Sequence, residues 1–171
     1  MTTTAQASQA PQRPAIKTMA NLESAFAGES MAHIKYRYFA KLAREMGDEA
    51  TAKTFEETAD QEVMHAFGHL DLLYPKASMT PAKALQIAID GETYEYTEMY
   101  PGFRTTAEAE GNAAAVAEMD DQIAESREHA AQFQASLKAT LDKAQKRFAA
   151  LARVEERHAN HYKAQLAKIA A

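Results

Sequence analysis

Seven side chains able to hold a metal ion, Glu29, Glu62, His65, Glu92, Glu95, Glu155 and His158, fall on four amphipathic stretches of the chain. Each occupies a position where helical periodicity calls for an apolar residue. A carboxylate turned toward a core without compensation costs several kcal/mol even after relaxation, and no Lys or Arg on the same stripes offsets it. Glu62 with His65, and Glu155 with His158, are three residues apart, so each pair shares a helix face with Cβ atoms roughly 5–6 Å apart. A single Glu-x-x-His is a weak signal, because chance alone places several in a helical protein. The set is stronger. Glu on one helix, two Glu on another and a Glu-x-x-His on each of two more is the donor pattern of di-metal helical bundles.

Ligand chemistry narrows the metal. Five oxygen donors and two imidazoles suit two iron ions, for which manganese or zinc could substitute; magnesium would be served poorly by the imidazoles. Two divalent cations would also nearly neutralise the five carboxylates. The bland alternative is that each Glu merely reaches solvent from a stripe edge. It requires all four stretches to carry the same costly residue at a similar height.

The elements that must position these residues are all helical. Ala, Glu, Lys, Gln and Met are plentiful, while Gly (6) and Pro (5) are scarce. The first helix is expected over about 19–46, with Leu22, Ala25, Phe26, Glu29, Tyr36, Phe39, Ala40 and Ala43 on its stripe. Gly47-Asp48 ends it and caps the second, about 48–73, which carries Phe55, Ala59, Glu62, His65, Ala66, His69 and Leu73. Thr80-Pro81 starts the third. Leu85, Ala88, Glu92, Glu95 and Met99 line it, Pro101-Gly102 should bend or interrupt it, and Gly111-Asn112 should stop it.

From Asn112 onward there is no Gly or Pro, and Val116, Ile123, Ala130, Leu137, Ala144, Leu151 and His158 recur every seven residues. The segment is longer than one bundle helix needs, and it repeats itself. Glu128-His129-Ala130 with Phe133 and Leu137 echoes Arg157-His158-Ala159 with Tyr162 and Leu166. In that alignment Ser126 stands where Glu155 is, so the later copy is taken as the ligand-bearing one. Two arrangements fit the excess length: a helical hairpin projecting from the bundle, or a long helix exchanged between subunits. The expected architecture is an all-α four-helix bundle over 18–171, with an insertion at about 111–147.

Other features bound the function. The 171 residues suffice for one domain of ordinary size. Net charge is −5 with no basic run, which argues against nucleic acid. There is no cysteine, which removes disulfides and iron–thiolate centres from this polypeptide. Residues 1–17 are polar, carry two prolines and lack an apolar central segment. They read as a flexible tail on a cytoplasmic protein, and no stretch has the length of a membrane span. His33 and His69 lie one turn from Glu29 and His65, where either an outer hydrogen bond or an ordinary edge position fits. His129 and His161 read as surface residues, and Tyr36 and Tyr100 as core tyrosines needing a hydroxyl partner.

At these residues the chain resembles the rubrerythrins. AFAGESMAHIKYRYFAKLAREMG and FEETADQEVMHA resemble that family's first helix pair, AIDGETYEYTEMYPGF its third helix and VEERHANHY its last. The resemblance implies a ferritin-like fold and the same seven metal ligands. It also implies hydrogen bonds to the site from Tyr36 and Tyr100, and exchange of His65 for Glu95 at one iron as the oxidation state changes. The family's iron–thiolate domain has no counterpart in these residues, so electrons would come from an external electron-transfer protein, rubredoxin-like or similar.

The function expected is therefore a non-haem di-iron peroxidase that reduces hydrogen peroxide to water, in a homodimer with or without exchanged helices. Two other classes compete: a ferritin-like ferroxidase that handles iron, and a helical scaffold whose last segment makes coiled-coil contacts. Iron per chain and assembly size separate the first two. Insensitivity of melting to metal removal would mark the third.

Overall fold

A computed structural model describes residues 17–170. The expected tail lies almost wholly outside the described residues. Among these residues every regular element is helical, so the all-α class expected from composition holds. The elements are α1 (Thr18–Glu45), α2 (Glu49–Leu73), a short 3₁₀ turn (Lys76–Ser78), α3 (Pro81–Tyr94), a π-turn (Glu95–Met99), α4 (Tyr100–Ala109) and α5 (Ala113–Ile169). They form two compact units, one ending at Ser78 and one beginning at Met79.

The first unit is the α1–α2 hairpin. Gly47 takes φ +83°, the left-handed conformation that ends α1 without a Cβ clash. The Asp48 carboxylate then accepts from Thr51 N–H at 3.0 Å and from the Thr51 hydroxyl at 2.7 Å, starting α2. The helices meet through alanine. Ala52, Ala59 and Ala66, one every seven residues, are 0%, 0% and 5% exposed, and Ala52 clusters with the buried Ala40 and Ala43 of α1. Side chains this small let the helices pack closely, with Phe55 and Tyr36 closing one side at 5.8 Å between ring centroids. Arg44 forks across to Glu49 and Glu56 at 2.9–3.1 Å, and Arg37 pairs with Asp60.

The second unit packs α3, the π-turn and α4 against the first half of α5. Thr80 caps α3 by accepting from Lys83 N–H, and Pro81 follows at its first position. The expected interruption at Pro101 takes the form of the π-turn that separates α3 from α4. The Tyr100 N–H reaches the Glu95 carbonyl five residues back, and this widened turn lies directly before the proline, which has no donor to contribute. Helix then continues to Ala109, and Gly111, at φ +73°, turns the chain into α5. Asn112 caps α5 by accepting from Ala115 N–H at 3.1 Å. Arg104 holds Asp120 at 2.6 Å, and Arg127 lies over the Tyr96 ring at 5.5 Å.

Residues 113–169 form one unbroken helix of 57 residues, about 85 Å long. The hairpin alternative for the extra length is therefore not the one adopted. No described helix is long and apolar enough to cross a membrane.

Candidate metal centre

On the α1–α2 hairpin, Glu29, Glu62 and His65 converge. Their ligand atoms all lie within 4.8 Å of one another. The His65 Nδ1–H donates to Glu62 Oε2 at 2.9 Å and stands 3.9 Å from Glu29 Oε2. The imidazole nitrogen is thus within reach of both carboxylates, as ligands shared by one cation would be. Glu62, with 17% of its side chain exposed, and Glu29, with 31%, are partly buried. His33 is tied elsewhere, since its Nδ1 lies 2.7 Å from the Ala59 carbonyl, to which it donates.

The second unit holds another cluster. Glu92 from α3 and Glu95 at the start of the π-turn face α5, and the residues opposite are Ser126 and His129. The Ser126 hydroxyl donates to Glu95 Oε2 at 3.1 Å, and His129 Nδ1 lies 3.5 Å from Glu92 Oε1. Glu92 Oε2 is buried with no hydrogen-bond partner, the kind of orphaned acceptor that a cation satisfies. Tyr100 is half-buried nearby. Burial first, then the charges of Glu95, Glu92 and Glu118, push its phenol above the ordinary 10.0, so it keeps its proton.

Glu155 and His158 lie elsewhere in the fold. They hold each other at 3.5 Å with 74% and 57% of their side chains exposed, 29 residues further along α5 than Ser126 and His129. On a continuous helix that is about 44 Å. The sequence reading missed Ser126 and His129 as neighbours of Glu92 and Glu95. The signal was the internal repeat itself, which marked both copies as equivalent and could not say which one packs there.

Whether these residues fit a metal pair is answered by the donors present. The first unit brings two carboxylates and an imidazole within 4.8 Å of one another, and the second brings the His129 imidazole to 3.5 Å from Glu92, whose other oxygen is buried and unsatisfied. The donor set suits divalent iron or manganese.

Comparison with known proteins gives the family. The rubrerythrin family model matches residues 20–137. Nigerythrin of Nitratidesulfovibrio vulgaris is 39% identical over 111 residues, 58% of this chain and 55% of that protein. Rubrerythrin of Porphyromonas gingivalis is 42% identical over 106 residues, 56% and 53% of the two chains. Rubrerythrin-1 of Clostridium acetobutylicum is 34% identical over 137 residues, 71% and 70%. The chain thus spans about half the length of the first two relatives. A solved structure of nigerythrin in its fully reduced, all-ferrous state is 33% identical over 74% of this chain and 69% of that one, with a TM-score of 0.36. The chain belongs to the rubrerythrin family.

Proposed function

We propose that the chain is a non-haem di-iron peroxidase in which Glu29, Glu62, His65, Glu92, Glu95, Glu155 and His158 supply the ligands. The observation that supports it most is the convergence of Glu29, Glu62 and His65 within 4.8 Å, reached independently from helical spacing. The reaction consumes hydrogen peroxide, two electrons and two protons and yields two waters. When bound, two ferrous ions supply the electrons that cleave the oxygen–oxygen bond.

The chain's own residues do the rest. The carboxylates bring charge that nearly balances two divalent cations, and Ala59 and Ala66, both buried and one turn either side of Glu62, flank it with small side chains. His65 would bind a metal through whichever ring nitrogen carries the lone pair, and binding through Nδ1 would break its hydrogen bond to Glu62. The Ser126 hydroxyl steadies one oxygen of Glu95, a bond that Glu95 would give up in moving. Tyr100 retains its phenolic proton beside Glu92 and Glu95 and is placed to donate it, whereas Tyr36, half-buried against Phe55, orders the α1–α2 face. These 171 residues hold no cysteine for an iron–thiolate centre, so the electrons must enter from outside them.

Metal analysis with stopped-flow mixing tests the proposal. We expect two iron equivalents per site and a diferrous protein oxidised faster by hydrogen peroxide than by dioxygen. Faster reaction with dioxygen, or tens of irons per chain, would replace the peroxidase with the ferroxidase reading.

A further inference from the structure

We infer that Glu155 and His158 serve the site of a second copy of this chain, exchanged across a two-fold axis that passes between residues 140 and 141 of paired α5 helices. The inference rests on the di-metal reading for its ligand roles. Its core is a length. Ser126 and His129 already mark the level of Glu92 and Glu95 on α5, and about 44 Å of rigid helix separates that level from Glu155. One chain cannot bring Glu155 to its own Glu92 and Glu95 without breaking a helix that contains neither Gly nor Pro. A second copy running antiparallel can. About that axis Ser126 is level with Glu155 of the partner subunit, and Ile123 with the partner's His158.

Three further observations favour a second copy as the occupant. The ligand-bearing stripe is apolar and uncovered: Phe148, Leu151, Tyr162, Leu166 and Ile169 are 49–83% exposed. Exposed apolar area of this extent along one face marks an interaction surface. The same register sets Phe133 level with Phe148 of the partner subunit and Leu137 with Ala144 of the partner subunit, as antiparallel heptads require. Charge also complements. Residues 113–141 carry five acids against two bases, whereas 142–169 carry seven bases against three acids. Antiparallel pairing lays each acidic half on the other's basic half, with Glu118 level with the partner's Lys163 and Glu128 level with the partner's Arg153. Two levels oppose like charges, Glu125 with Glu156 of the partner subunit and Lys138 with Lys143 of the partner subunit, so the net complementarity carries the argument. The interface is isologous and closes as a dimer.

Complementation tests the exchange without an activity readout. One chain carries Glu155→Ala and His158→Ala, the other Glu92→Gln and Glu95→Gln, with different affinity tags. Each homodimer should bind little iron. The doubly tagged heterodimer should regain about half the wild-type iron, because one of its two sites draws only intact residues. A heterodimer no better than its parents, a first variant that keeps full iron, or a monomeric wild-type chain in sedimentation would overturn the inference.

A second measurement needs no metal. Because the chain lacks cysteine, the double variant Phe133→Cys, Phe148→Cys reports the register directly. These positions are about 22 Å apart on one helix, too far to bond within a chain. Oxidation should give a covalent dimer, and its absence would overturn the pairing. If the cross-link forms while wild-type protein binds no metal, the di-iron reading fails and the exchange stands.

Discussion

Ser126 and Glu155 hold equivalent places in the repeated stretch of α5, yet Ser126 is 3% exposed and Glu155 keeps 74% of its side chain in solvent. The first half of the helix is covered by α3, the π-turn and α4, and its stripe is small or neutral where it is tightest, at Ser126 and Ala130. The second half keeps the carboxylate and the larger apolar residues and is bare. The difference teaches that a motif's chemistry and its packing separate when it is duplicated. The covered copy gave up the charge it would have had to bury beside Glu95, and the uncovered copy kept it.

The strongest way to break that comparison is to restore the charge. Ser126→Glu sets a second carboxylate against Glu95 in a nearly closed position. Without metal it should cost several kcal/mol, each kcal/mol lowering the melting temperature by roughly 2–4 °C. One carboxyl of the pair would be pushed above its ordinary range, so the added loss should be absent at low pH and grow as pH rises through that elevated value. Ferrous or manganous ion should recover more stability in the variant than in the wild type. A metal-free variant that melts like wild type at neutral pH would mean that the covered half has room for a ligand after all.

A smaller effect sharpens the same contrast with one residue type. Ala130, 2% exposed, and Ala159 are repeat equivalents. Ala130→Leu should cost about 1–3 kcal/mol by overpacking. Ala159→Leu, melted at dilutions where the chain is single, should stay within about 0.5 kcal/mol. Denaturant titration of both gives the pair, and equal losses would show that the second half is packed within one chain. Below these comes Thr80→Ala, which removes the cap from α3 and should cost about 1 kcal/mol. Because the second half of α5 takes no support from that cap, helix lost in the variant should come from the covered half, as amide exchange would show.

Much of this was legible in the sequence for reasons that are local. Gly47, Asp48, Thr80, Pro81, Gly111 and Asn112 each do at an element boundary what their chemistry favours, and Ala40, Ala43, Ala59 and Ala66 are buried where spacing put them. Phe39 and His65 of the same stripes are exposed, however, and the buried Ala52 was not on them. Glu29, Glu62 and His65 were readable because all three lie on two adjacent helices joined by a short turn. What failed was non-local. Pro101 announced an interruption by its own chemistry, but not that a π-turn beginning six residues earlier would carry it. His129 is exposed, as its sequence position suggested, but its pairing with Glu92, 37 positions away on another helix, could not be read. The repeat preserves the stripe in both halves of α5, so periodicity cannot select which half meets α3.

The smallest effect expected lies outside the repeat, in a boundary the sequence did announce. The Asp48 carboxyl lies below its ordinary value of 3.8, chiefly because it accepts the Thr51 hydroxyl and then the Thr51 N–H. A carboxyl held low in the folded chain contributes stability that is present above the unfolded value and lost as pH falls through the folded one. Asp48→Asn keeps an acceptor for the cap but cannot titrate, so it should flatten part of the acid limb of a melting-temperature profile taken from about pH 5 to pH 2. The two proteins should differ most at pH 5 and converge toward pH 2. The same substitution should leave the pH response of Ser126→Glu unchanged, since Asp48 belongs to the α1–α2 hairpin and Ser126 to the other unit. Coupling between the two titrations would mean that the acid limb is not set locally at the start of α2.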